Sequence, residues 1–326
     1  MEQRQLGRTG LRVSRLGLGT LTWGRDTDEN DAADLLKTFW EAGGTLVDTA
    51  DVYGDGEAEY VLGRLIEGLI PRRDLIIATK AGSVPDPERR FDGSRGHLLN
   101  ALDASLARLG TDYVDLWQVH AFDPRTPLDE TLGALDIAVS SGRARYAGVS
   151  NFCGWQLAKA ATWQLAGAGT RTPLAGTQME YSLLQRGVER EVLPAALDLG
   201  IGLLPSSPLG RGVLTGKYRH AIPPDSRGAS DLAPFVEPYL DDTAGHIVDA
   251  VTTAADGLAA TPLQVALAWV RDRPGVTAPI VGARTAQQLT AVLSVEALSL
   301  PHEICRALDD VSAPVHRYPD HDWSTL

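Results

Sequence analysis

Short, β-rich apolar runs alternate with longer amphipathic segments along almost the whole chain, and no other feature of the sequence constrains the fold as much. Eight strands are expected, at 16–18, 46–48, 75–79, 114–119, 146–149, 176–179, 202–204 and 278–281. Helical spacing is expected over about 28–42, where Leu35, Leu36 and Phe39 share a face and Gly43-Gly44 supplies a stop. Further helices are expected over about 96–109, 128–141, 155–166, 189–199, 263–271 and 285–293. Strand–helix alternation with short connections implies parallel strands joined by right-handed crossovers. Eight such units within 326 residues point to a closed (β/α)₈ barrel, taken as one domain over 1–326. The rival is an open, doubly wound sheet. It would need a GxGxxG turn after the first strand, and GLGTLTWG lacks that spacing.

Ahead of the first strand, RQL and LRVS flank the turn GRTG and read as a small hairpin. Two stretches read as long loops, 81–95 and the proline-rich 205–245. Both follow strands, so both belong to the C-terminal face of a barrel, and loops of that length in a compact domain are usually functional.

Composition narrows the class of partner. A formal net charge of -12 repels phosphate backbones, so no nucleic acid is expected, although a locally basic pocket stays open to a small anion. The two cysteines, Cys153 and Cys305, have no CxxC or Cys/His ligand spacing, which argues against both a disulfide framework and a metal site. The chain opens on MEQRQLGRTG, without the apolar core of a signal peptide. No apolar run reaches the roughly 18 residues a membrane span needs. A cytoplasmic protein with no membrane partner is the expectation; the sequence does not read out an oligomeric state.

In a barrel, polar residues at the C-terminal ends of strands are site candidates. The second strand ends LVDTADVYG, with Asp48 at its tip and Tyr53 just beyond. The third ends LIIATK at Lys80, and the fourth ends YVDLWQVH at His120. Singly, each has an ordinary use as a turn former, a solvated charge or a packing residue. Together they fit one reaction, proton donation to a carbonyl oxygen. A free tyrosine titrates at about 10. A nearby ammonium lowers that value, and a buried ammonium needs a counter-charge, which Asp48 supplies. His120 is then the group to orient the carbonyl oxygen or relay the proton. The other half of carbonyl reduction is hydride, which side chains cannot deliver, so a nicotinamide cofactor is implied. A barrel hydrolase would need paired carboxylates or metal ligands that are missing here. Trp23, Trp117 and Phe122 lie near strand ends and are candidates for an apolar substrate pocket.

The segments LVDTADVYG, ATKAG, SLARLGTDYVDLWQVH, AGVSNF, SPLGRGVLTGKY and VGARTAQQL resemble, in order and spacing, the signatures of the aldo-keto reductase superfamily. LTGKY and GART resemble the branch that holds bacterial reductases and potassium-channel β subunits. The resemblance implies that Asp48, Tyr53, Lys80 and His120 form a catalytic tetrad. It implies an NADPH site in which Ser150 and Asn151 hold the nicotinamide carboxamide with Gln178 beside them, and which Thr20 and Asp48 also contact. Ser207, Pro208, Leu209 and Arg211 would line the pyrophosphate side. Lys217 and Arg227 would contact phosphate, and Gly282, Arg284 and Gln288 would form the adenosine-phosphate site. Arg284 at a helix start is informative on its own, because dipole grounds disfavour a cation there unless an anion joins it. The chain departs from the family at Ser206, where relatives carry a nicotinamide-stacking aromatic, and at Ala291 and Val292, where many carry an adenine-contacting Glu-Asn pair. Two functions follow: an enzyme acting on a small-molecule carbonyl, or a cofactor-loaded partner protein that senses redox state with little turnover.

Overall fold

The computed structural model describes residues 1–314 apart from 168, 225 and 231. β1 (Gln3–Gln5) and β2 (Arg12–Ser14) form the expected antiparallel hairpin, with Gln3 opposite Ser14 and Gln5 opposite Arg12. The barrel follows as β3 (Gly17–Gly19), β4 (Leu46–Asp48), β5 (Ile76–Ala81), β6 (Val114–Val119), β7 (Ala144–Ser150), β8 (Leu174–Glu180), β9 (Gly202–Ser206) and β10 (Ile280–Val281). All neighbours pair in parallel and in chain order, and β10 lies beside β3. The ring closes just before β10, where the Leu203 amide donates to the Gly275 carbonyl at 3.1 Å and the Thr277 amide to the Leu203 carbonyl at 2.8 Å. The fold is thus the (β/α)₈ barrel that the alternation implied.

Each strand is walled on both sides, by the barrel interior and by helices, which is why the runs read as continuously apolar. The helices are α1 (Glu29–Glu41), α2 (Glu57–Gly68), α3 (Arg95–Leu109), α4 (Leu128–Ser140), α5 (Gly154–Leu165) and α6 (Val192–Leu199). They continue as α7 (Ala233–Val236), α8 (Asp242–Gly257), α9 (Pro262–Arg271), α10 (Ala286–Leu293) and α11 (His302–Val311). Local chemistry sets their ends. Asp28 caps α1 by accepting from the Asp31 amide, and Thr261 and Gln264 form a reciprocal cap on α9. Gly110, at φ 61, terminates α3 where a side chain would be strained. α2, α8 and α11 were not expected from the sequence. The stretch 205–245 is also more ordered than a loop. It carries turns at Gly210–Thr215, Arg227–Ala229 and Glu237–Tyr239 besides α7, while Asp225 and Asp231 within it lie outside the described residues.

One apolar cluster fills the space between barrel and helices; a second, smaller one fills the lower barrel. In the second, Leu6, Leu11 and Val13 of the hairpin region meet Leu46, Ala78, Leu116, Leu204 and Ala278. Glycines make room for this plug. A Cβ on Gly202 would lie 2.6 Å from Leu6 Cδ1 and 2.7 Å from the Gly7 nitrogen, and one on Gly176 would lie 3.3 Å from Leu6 Cδ1. The Arg8 amide donates to the Gly200 carbonyl at 2.7 Å and pins the hairpin turn to the end of α6, just ahead of β9. No helix among the described residues is long and apolar enough to cross a membrane.

Candidate functional site

Side chains two residues apart on a strand share a face. Above Leu46, Ala78 and Leu116 of the plugged floor therefore stand Asp48, Lys80 and Gln118, with His120 one step higher. The chain leaving β4 stays zipped to β5: the Thr49 amide donates to the Ala78 carbonyl at 2.8 Å and the Asp51 amide to the Lys80 carbonyl at 3.1 Å. That run brings Tyr53, at the start of a short helical turn, back over Lys80.

Lys80 is fully buried. Its three donors find three acceptors: Asp48 Oδ2 at 2.7 Å, the Thr49 carbonyl at 2.8 Å and the Tyr53 hydroxyl oxygen at 3.4 Å. The other Asp48 oxygen accepts from Gln178 Nε2 at 2.8 Å. An ammonium only donates, so the phenol oxygen accepts from Lys80 and the phenol proton is left to point elsewhere. Burial disfavours the Lys80 charge, but Asp48 and Tyr53 outweigh it and hold the amine above its usual value. Burial also dominates at Tyr53, which stays above the ordinary phenol value although Lys80 pulls it down. The net direction is opposite to the one expected from the ammonium alone. His120 is pushed down to about 3, first by burial and then by Lys80, so it is a neutral imidazole near neutrality. Its ring faces Tyr53 edge-on at 6.1 Å, and its Nδ1 is buried without a partner among the described residues. The four tetrad candidates thus meet at one point.

A cleft of about 960 Å³ runs from this point across the barrel mouth to α10. At the tetrad end its wall includes Ser150, Asn151 and Gln178; along β9 it includes Ser206, Ser207, Pro208 and Leu209. At the far end stand Gly282, Arg284 and Gln288, roofed by Lys217 and Arg227. Asn151 adopts φ 55, which asparagine tolerates, and donates from Nδ2 to the His120 carbonyl at 3.0 Å and to Ser150 Oγ at 3.1 Å. Thr20 stands behind the wall, fully buried, its amide and hydroxyl both donating to the Asp48 carbonyl. Gln288 Oε1 accepts from the Arg284 amide at 2.9 Å, just ahead of the Thr285 cap of α10.

Several candidates also make contacts that the sequence did not reveal. Arg211 lines the cleft, but its guanidinium is committed. It binds both Glu180 oxygens at 2.9 and 2.6 Å, donates to the Phe235 carbonyl at 2.6 Å and lies 3.8 Å over the Phe235 ring. It ties the segment after β9 down across the cleft. Trp23 and Trp117 are fully buried and do not reach the cleft wall. Phe122 packs edge-on against Phe152 and Trp155. Arg25, by contrast, was not expected. With Arg284 it acts on Arg227, whose charge is disfavoured first by burial and then by these two cations, with Tyr218 and Asp26 offsetting part of the effect. Cations gathered against their own repulsion mark a place suited to an anion. A long cleft with polar donors at one end and gathered cations at the other fits a nicotinamide dinucleotide. Ser206, Ala291 and Val292, the three positions where the chain departs from the resemblance, all face it.

A family model described as the aldo/keto reductase family matches residues 15–313. Among curated proteins the chain is 39% identical over 323 residues to an uncharacterized oxidoreductase, YrpG, of Bacillus subtilis (strain 168), covering 95% of this chain and 96% of that one. It is 37% identical over 300 residues to a probable voltage-gated potassium channel subunit beta of Arabidopsis thaliana, covering 89% of each. It is 32% identical over 330 residues to a versiconal hemiacetal acetate reductase of Aspergillus parasiticus, covering 93% and 95%.

Proposed function

The chain belongs to the aldo/keto reductase family, and on that premise we propose that it is an NADPH-dependent reductase of small aldehydes or ketones, able to run the reverse alcohol oxidation, with Tyr53 as the general acid. The observation that carries this reading is the saturation of Lys80 by Asp48, Thr49 and Tyr53 beneath a neutral His120. When bound, the nicotinamide supplies the hydride. Tyr53 is protonated across the neutral range, so it is ready to donate to a carbonyl oxygen. Lys80 then steadies the phenolate left behind. His120 binds the same oxygen and fixes its direction. Ser150, Asn151 and Gln178 are assigned to the carboxamide, and Ser207, Pro208 and Leu209 to the pyrophosphate. Lys217, Arg227 and Arg284 are assigned to the 2′-phosphate, which sets NADPH above NADH. Two free cysteines, Cys153 and Cys305, suit a reducing cytoplasmic setting.

The second reading, a cofactor-loaded partner protein with little turnover, is supported by the similarity to plant proteins named as probable channel β subunits. The complete tetrad favours turnover. NADPH absorbance followed against a panel of aldehydes and ketones decides between them. Turnover of at least one carbonyl is expected; tight NADPH binding with no consumption across the panel would favour the partner protein.

A further inference from the structure

Asp51 lies between Asp48 and Tyr53, yet nothing in the reaction above uses it. Its amide is held by the Lys80 carbonyl, so strand β5 fixes both the base of the site and this residue. Its side chain is half-buried, and Oδ1 is sealed from solvent with no hydrogen-bond partner among the described residues. Three charged groups face it from the packed elements: Glu59 of α2, Arg108 of α3 and Lys80 of β5. The two cations are already engaged. Arg108 binds Glu59 Oε2 through Nε at 2.8 Å and through its terminal nitrogen at 2.6 Å, with a further contact to Ser105. Lys80 spends its donors on Asp48, Thr49 and Tyr53. Glu59 is fully buried and takes the Thr79 hydroxyl on its other oxygen, so it is fixed as a like charge toward Asp51. Burial first, and Glu59 second, push the Asp51 carboxyl up to about 7. Asp51 in turn disfavours the Tyr53 phenolate.

We propose that Asp51 is a positioning residue whose ionisation sets how readily Tyr53 gives up its proton. The inference rests on Tyr53 being the acid. A carboxylate at Asp51 opposes the phenolate that proton donation leaves behind; a neutral carboxyl does not. Reduction is therefore faster with Asp51 protonated, and kcat falls as pH rises through its ionisation. The proton lost by Asp51 goes to solvent, and no bond of the substrate is involved.

The test is the pH profile of kcat for carbonyl reduction by the intact enzyme, for wild type, Asp51→Asn, Asp51→Glu and Tyr53→Phe. NADPH fluorescence and thermal melting check that each variant is folded and cofactor-competent. The wild type should lose about threefold to tenfold in kcat across neutrality, a fraction of the ~10² that the general acid contributes. Asp51→Asn should keep the low-pH level throughout, and Asp51→Glu should restore a step. A step that persists in Asp51→Asn overturns the proposal. So does a uniform loss in that variant at every pH, which is what a purely structural role would give. Tyr53→Phe retaining kcat overturns the acid reading itself; Tyr53→Phe inactive with the step unmoved in Asp51→Asn overturns Asp51 alone. Should the Asn variant not fold, infrared difference spectra of the wild type across neutrality decide. A protonated-carboxyl band that disappears with rising pH and moves in Asp51→Glu is expected; no such band overturns the proposal.

Discussion

The floor and the mouth of this barrel are made by the same strands, two residues apart, under opposite rules. On the floor, Leu46, Ala78, Leu116 and Leu204 close around Leu6 with glycines trimmed to fit. At the mouth, the next inward positions are Asp48, Lys80, Gln118 and Ser206. There Gln118 is buried with neither amide atom partnered among the described residues, and Thr49 Oγ1, Asp51 Oδ1 and His120 Nδ1 join it. Buried polar groups are normally satisfied, so these four at the mouth need a reason. The contrast teaches that apolar packing below holds in place a polar, underpaired layer above, where a ligand is received.

The sharpest way to break this comparison is to look for chemistry that survives without the mouth. Tyr53→Phe should lower kcat by ~10² or more while the melting temperature and NADPH affinity barely move. Near-full kcat would remove the acid from the site. The mirror experiment is Leu6→Ala. Emptying the plug should cost about 2–5 kcal/mol, read by chemical denaturation, with kcat of the folded enzyme unchanged. If kcat falls in step with stability, floor and mouth are not separable.

A third change tests the far end of the cleft. Arg284→Ala should weaken NADPH about 10- to 150-fold, the worth of one charged hydrogen bond, and leave NADH nearly untouched. Fluorescence titration reads both, and the loss should shrink as salt rises. Equal NADH and NADPH affinities in the wild type would defeat the phosphate assignment. The effect that is smallest at each step, though it accumulates with acid, concerns stability. His120 resists protonation in the folded state, with its value near 3 against about 6.5 for a free histidine. A group depressed on folding contributes fully above its unfolded value and loses that contribution as pH falls toward the folded one. His120 should therefore cost on the order of 1 kcal/mol per pH unit below about 6.5, and His120→Gln should flatten that slope in urea midpoints.

The sequence was most legible where physics is local and repetitive. All eight barrel strands and the hairpin stand within a few residues of expectation, because strands walled on both sides leave unbroken apolar runs. The meeting of Asp48, Tyr53, Lys80 and His120 was legible because strand-tip position is itself a signal. The helices that escaped notice have physical reasons. α2 carries Gly63 in its interior, where a Cβ would lie 2.4 Å from the Arg108 carbonyl oxygen, so close packing against α3 replaced helix propensity. α8 is rich in Ala and Thr, with few large apolar residues to mark a face, and α11 buries only Leu308. Arg211 could not be read because its partner Glu180 lies 31 residues away. Trp23 and Trp117 stand near strand ends yet turn into the core, and spacing alone does not report which way an indole points.

The hairpin has one more consequence, for the order in which the molecule is assembled. Arg4 donates to the Arg271 carbonyl at 2.7 Å, across 267 residues, and Arg8 reaches the carbonyls of Asp198 and Gly200. The same hairpin also meets residues near it in the chain, where the Ser14 amide donates to Thr45 Oγ1 at 2.9 Å. The distant contacts are entropically the last to be won. The plug is therefore complete only once strands as far apart in the chain as β4 and β10 stand in one ring.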